Sequence, residues 1–209
     1  MSIHVNSGLK LYMESAIAAP VTITAITKAA PGVLSATGHT FANGDTVLLE
    51  IQGMVELHGY LCKVVNVVAS TSFQVAGVDG TAGIDTTLFS TFSSGTAKKV
   101  TLGTSIVGVQ EFAFAGGEIK TTDTTTVNDT VDTQIVVGAT AQSADMTMQW
   151  DPSAAAQQAM ITAFKTRSNK GFKVLWPDGA FAMWYGTVGY TGAPGGGKQG
   201  VTTSPAKIT

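Results

Sequence analysis

With a single cysteine in 209 residues, Cys62, the chain can build neither an intramolecular disulfide framework nor a cysteine-rich metal site, which fits a reducing compartment. Charge is scarce as well. Asp, Glu, Lys and Arg make up 12% of the residues, where an ordinary soluble domain carries roughly 25%, and they leave a formal net charge of -2. Lacking a basic excess, the chain has no strong electrostatic grip on phosphate, which argues against tight nucleic-acid binding along its length. So few charges cannot cover the whole surface, and much of that surface is expected to meet other protein. No run approaches about 18 uninterrupted apolar residues, and Met1 to Lys10 has neither a basic start nor an apolar core of signal-peptide length. The sequence therefore predicts neither a membrane span nor signal-directed export.

Chemistry-bearing patterns are thin. The histidines are His4, His39 and His58, with no helical pair at four-residue spacing and no Cys partner, so no metal site is expected. There is no nucleophile elbow, and no catalytic residues are assigned. Gly192-Ala-Pro-Gly-Gly-Gly197-Lys198 has the glycine and lysine spacing of a phosphate-cradling loop. However, Gln199 lacks the hydroxyl that would hold Mg²⁺, and Gly200-Val-Thr-Thr-Ser-Pro205 cannot open the required helix. This segment reads as a loop joining the last two strands, and no cofactor is expected.

The chain does contain short β-branched runs separated by turn residues. Gly8 to Ser15 alternates as a strand with one buried face. From Val21, strands are predicted at Val21–Thr24, Val47–Ile51, Lys63–Val68 and Ser72–Val75, with breaks at Pro31-Gly32, Asn43-Gly44-Asp45, Gly53 and Asp79-Gly80. Ala16 to Pro20 reads as a linker, so residues 20–98 form a small all-β domain inserted between residues 1–19 and 99–209. Beyond a Ser93-Ser94-Gly95-Thr96 break, further strands are expected at Val100–Leu102, Val107–Ala115, Thr133–Val137, Asp145–Trp150, Phe172–Trp176, Phe181–Val188 and Val201–Ile208. A single helix over about 152–169 interrupts them. Asp151 is placed to cap it, Pro152 to open it and Gly171 to close the segment, with Lys165, Arg167 and Lys170 at its C-terminal end. The fold class is mainly β with one flanking helix.

Charge placement is uneven. From Glu111 to Asp151 the acids Glu111, Glu118, Asp123, Asp129, Asp132, Asp145 and Asp151 stand against a single base, Lys120, whereas from Lys165 to Lys207 the bases Lys165, Arg167, Lys170, Lys173, Lys198 and Lys207 stand against a single acid, Asp178. This predicts self-complementarity, an acidic face of one copy meeting a basic face of the next. The segment Lys120–Asp132, with Thr121, Asp123, Asp129 and Asp132, reads as a polar loop that carries function on a β scaffold. Its candidate basic partners are Lys165, Arg167 and Lys173. Gly192, Gly195, Gly196, Gly197 and Lys198 form a second candidate interface loop.

The order of Glu118-Ile-Lys-Thr-Thr-Asp-Thr-Thr-Thr-Val-Asn-Asp129, Gln149-Trp-Asp-Pro-Ser-Ala-Ala-Ala-Gln-Gln158, Phe172-Lys-Val-Leu-Trp-Pro-Asp-Gly-Ala-Phe181 and Trp184-Tyr-Gly-Thr-Val188, together with Gly8-Leu-Lys-Leu-Tyr12, resembles the major tail tube proteins of long, non-contractile-tailed bacteriophages. The resemblance implies a tail-tube β-sandwich or barrel flanked by a helix. Its copies would form hexameric rings stacked into a conduit for genome ejection, as a non-enzymatic part of the virion tail assembled in the host bacterial cytoplasm. The implied partners are further copies, the tape measure, tail tip and tail terminator proteins, and DNA that passes without specific binding. Gly38-His-Thr-Phe-Ala-Asn-Gly-Asp-Thr-Val47, Gly53-Met-Val-Glu-Leu-His-Gly59, Thr71-Ser-Phe-Gln-Val75 and Asp85-Thr-Thr-Leu-Phe89 are similar to a small β domain of phage structural proteins named after a region of ubiquitin-activating enzymes. A second class stays open on the sequence alone, a receptor- or carbohydrate-binding β protein of a virion with its site around His39 and His58.

Overall fold

The computed structural model describes residues 7–76, 80, 82–128, 130–197 and 200–209. In chain order the strands are β1 (Lys10–Met13), β2 (Ala16–Ile17), β3 (Val21–Ile23), β4 (Ala25–Ile26), β5 (Leu34–Ser35), β6 (Thr46–Gln52), β7 (Leu61–Val68), β8 (Ser72–Val75), β9 (Ser94–Thr101), β10 (Thr104–Ile106), β11 (Val109–Ala115), β12 (Ile119–Asp123), β13 (Gln134–Ala139) and β14 (Ser143–Gln149). The helix α1 (Ala155–Thr166) follows, then β15 (Asn169–Leu175), β16 (Phe181–Gly189) and β17 (Thr203–Ile208). The protein is mainly β, with antiparallel sheets and one α-helix among the described residues.

Two compact units share the chain, one made of residues up to Val107 with Asn169–Tyr185, the other of Gly108–Ser168 with Gly186–Thr209. In the first, β1 lies between β10 and β15, and β16 follows β15. Its alternation decides the register: Leu11 and Met13 are buried opposite Val174 and Phe172, while Tyr12 lies opposite Lys173. The same unit holds a sheet in the order β2-β9-β6-β7-β8-β5-β4, with β3 also on β9.

β6 is buried on both faces, and its period-2 geometry separates two cores. Val47, Leu49 and Ile51 join Ile23, Leu34, Phe73 and Val75 in a cluster drawn entirely from residues 21–97. Leu48 points the other way, with Leu61 and Val100, against Leu102, Met183 and Tyr185. Each such fully buried side chain contributes roughly 1.5–3 kcal/mol of transfer free energy.

Three sequence expectations need correction here. Ala16 and Ile17, read as the start of a linker, form β2 opposite Thr101 and Val100 of β9. Ser94-Gly95-Thr96 is not a break but the start of β9, where Gly95 lies opposite both Ile23 and Ile51, and Thr96 opposite both Thr22 and Glu50. A side chain at Gly95 would press on the Ile51 Cδ1, so the glycine serves packing within a central strand. The helix spans Ala155–Thr166 rather than about 152–169. Asp151 does not cap it, because its Oδ1 accepts from the Ser153 N–H at 2.9 Å and the Ser153 hydroxyl at 2.6 Å, closing a turn ahead of the helix. The C-terminal stop is Arg167, at φ 52° in the left-handed region, with the Ser168 N–H donating to the Ala163 carbonyl at 3.0 Å. Gly171 and Lys170 belong to β15 instead.

In the second unit β16 pairs with β17, β17 with β14, and β14 with β11, whereas β12 and β13 pair only with each other in a separate two-stranded sheet. A polar relay ties α1 to this unit. The buried Gln157 accepts from the Tyr190 hydroxyl at 2.8 Å and the Asp151 N–H at 3.1 Å, and donates to the Gln149 carbonyl at 2.6 Å.

Candidate assembly surfaces

The hairpin β12–β13 is the most exposed part of the described chain. The expected loop Lys120–Asp132 is half strand: Lys120, Thr121 and Asp123 lie opposite Gly138, Val136 and Gln134, with a bulge between Lys120 and Thr121. A Thr-rich strand with no buried face shows no apolar alternation, which is why the sequence reads as loop. Ile119 and Val136 are 67% and 66% exposed, and Ile135, Val137, Val127 and Val131 are exposed too. A lone two-stranded hairpin is marginal in water without a surface to cover it.

The tip is tied by its own polar groups. Asp123 Oδ1 accepts from the Thr125 N–H at 2.8 Å and the Thr125 hydroxyl, the Thr124 N–H donates to the Thr133 carbonyl at 2.9 Å, and the Thr133 N–H donates to Thr125 Oγ1 at 3.0 Å. The Thr125 hydroxyl and N–H hold the Asp123 carboxyl below the usual range, so it carries its charge into mildly acidic solution. Asp132 is exposed, while Asp129 lies outside the described residues. At the root of the hairpin, Gly116 has φ 92° and a Cβ there would meet the Ala141 carbonyl oxygen, so only glycine lets the two segments approach so closely.

The glycine loop is anchored at its first half. The Trp150 indole N–H donates to the Gly192 carbonyl at 3.0 Å, the Ser204 hydroxyl donates to the Ala193 carbonyl at 2.9 Å, and Gly195 bridges Thr203. Gly196 and Gly197 are exposed, and Lys198 lies outside the described residues. The chain then enters β17 rather than a helix, the wrong context for a phosphate loop.

The candidate bases do not form one group. Lys165 and Arg167 line an open groove of about 560 Å³ in the second unit, with Phe164, Thr187, Gly189 and Lys207. Lys173 belongs to the first unit, 5.2 Å above the Phe181 ring, where burial and then the charge of Lys63 depress its ammonium. Lys170 is committed to Glu14 at 2.9 Å, and Lys207 stands 3.5 Å from Asp145. Part of the expected charge asymmetry is thus neutralised within the chain.

The two described histidines are held by the backbone around them, while His4 lies outside the described residues. His39 is 2% exposed and stacks on Phe41 with Phe73 at its edge. The Phe41 N–H donates to its Nδ1 at 3.3 Å, so Nε2 carries the proton and faces the Val68 and Ser72 carbonyls, each at 3.2 Å. His58 donates from Nδ1 to the Ile51 carbonyl at 2.8 Å. His39→Ala is expected to cost about 3 kcal/mol, combining packing lost against Phe41 and Phe73 with a buried Phe41 N–H left without its acceptor. Urea denaturation measures this, and a loss under 1 kcal/mol would show that the buried ring contributes little to stability. Burial likewise pushes the Cys62 thiol up and makes it inert.

Such a set of surfaces, apolar and charged but built on a β scaffold with an uncovered hairpin, defines a structural subunit that associates with other protein. The chain belongs to the phage tail tube protein (TTP) family, whose profile matches residues 53–209. It is a non-enzymatic structural component of the virion tail. A search of curated proteins finds no match.

Proposed function

We propose that the chain is the major tail tube subunit of a phage with a long, non-contractile tail, and that its copies close into hexameric rings stacked as the conduit for the genome. The observation that carries this reading is the hairpin β12–β13, which has apolar residues on a two-stranded sheet of its own. In the tube it reaches the neighbouring ring. DNA passes without specific binding, favoured by the net charge of -2. The tape measure, tail tip and tail terminator proteins meet the two ends. Residues 20–98, with a core of their own, act as an inserted domain on the outer surface of the tube.

Negative-stain microscopy of concentrated protein is expected to show tubes with sixfold end views. Sedimentation that gives monomer alone up to millimolar concentration at several salt levels would overturn the reading. Reversing Asp129 and Asp132 together to Lys should leave folding intact but slow stacking, most strongly at low salt where repulsion is least screened. Exposed ion pairs contribute only about 0–1 kcal/mol each, so single reversals should do little. Light-scattering growth curves across a salt series test this, and normal growth at low salt removes the electrostatic part.

A further inference from the structure

We infer that the groove at the C-terminal end of α1 is the receptor for the tip of the β12–β13 hairpin from a second copy of this chain. The inference rests on reading that hairpin as an arm between copies, and it adds where the arm lands. The groove has an apolar wall, the half-exposed Phe164, and a cationic rim, Lys165 and Arg167, neither of which has an ion-pair partner among the described residues. The hairpin tip presents the converse: exposed Val127 and Val131 flanked by the carboxylates of Asp123 and Asp132. Both surfaces lie in the same unit of the chain, so one copy's tip in the next copy's groove is a heterologous contact that repeats.

Arg167 supplies a second, independent observation. It occupies the left-handed position that ends α1, at φ 52°, where glycine is the usual residue and a long side chain is strained. Strain of this kind is retained where the side chain has work to do. Here it sets a guanidinium, suited to two-point contact with a carboxylate, at the rim of an open groove.

The arrangement separates folding from assembly in one variant. Arg167→Gly relieves the backbone while removing the charge, so combined with Lys165→Gln it should leave the melting temperature equal or higher, yet raise the protein concentration at which tubes appear by about tenfold at low salt. The direct test is cross-linking. Val131→Cys in one preparation and Phe164→Cys in another, mixed, assembled with wild-type chain and oxidised, should give covalent dimers that neither preparation gives alone. Cys62 is buried and does not interfere. Tubes that form without that dimer, or an unchanged assembly threshold for the double charge variant, would overturn the groove as receptor. If removing the hairpin still blocks assembly in that case, the arm stands and lands elsewhere. Normal tubes without the hairpin would instead overturn the reading beneath it.

Discussion

Deleting Glu118–Thr140 and joining Gly117 to Ala141 should yield a folded subunit that makes no tubes. The excised residues include Ile119, Ile135, Val136 and Val137, all more than half exposed, so little buried apolar area is lost from either core. β11 and β14 remain paired from Ala115 opposite Ser143, and the four residues left between them suit a short hairpin loop. Monomer stability is therefore expected to change by about 1 kcal/mol or less, whereas the contact proposed to join copies would be lost. Thermal unfolding and negative-stain images of the same sample measure both effects. Tubes of normal length from the deletion variant would show that the hairpin is dispensable.

The second large effect is on folding. Glu14 is 5% exposed, its Oε1 is 2.9 Å from Lys170 Nζ, and its Oε2 accepts from the Gly171 N–H at 3.2 Å. Lys170→Met leaves a buried carboxylate with one weak donor, and such an uncompensated charge costs about 3–5 kcal/mol. Adding Glu14→Gln removes the charge while keeping an acceptor for Gly171, so the double variant should recover most of the loss. Because the pair is largely withdrawn from solvent, the penalty should vary little with salt. Urea unfolding of the two single variants and the double variant forms the cycle, and a Lys170→Met loss below 1 kcal/mol would show that water already reaches Glu14.

Much of this architecture was legible in the sequence because the buried strands advertise themselves. Val47 to Ile51 and Lys63 to Val68 combine β-branched residues with flanking turns, and β6 and β7 cover them. What escaped was whatever the chain builds from polar groups. Thr121 to Asp123 extend as a strand without an apolar face, Asp151 spends its carboxylate on Ser153 rather than on the helix, and His39 behaves as a core aromatic. Gln157, which joins Gln149 and Asp151 just ahead of the helix to the distant Tyr190, leaves no sequence signal, since a buried glutamine reads like any polar helix residue. The candidate bases were found by type but not by place: Lys165 and Arg167 share a groove, while Lys170 and Lys173 answer to other neighbours.

The hydrogen bonds that Asp123, Thr124, Thr125 and Thr133 exchange across the hairpin tip bear on the kinetics of tube growth. These bonds leave the residues they tie less conformational freedom to surrender than an open polar loop would have, which lowers the ordering cost even though the two-stranded sheet is marginal until it is covered. Subunit addition then becomes a problem of collision and orientation. Its rate should rise linearly with free subunit concentration, fall with added salt as steering weakens, and slow with solvent viscosity, as diffusion-controlled docking does.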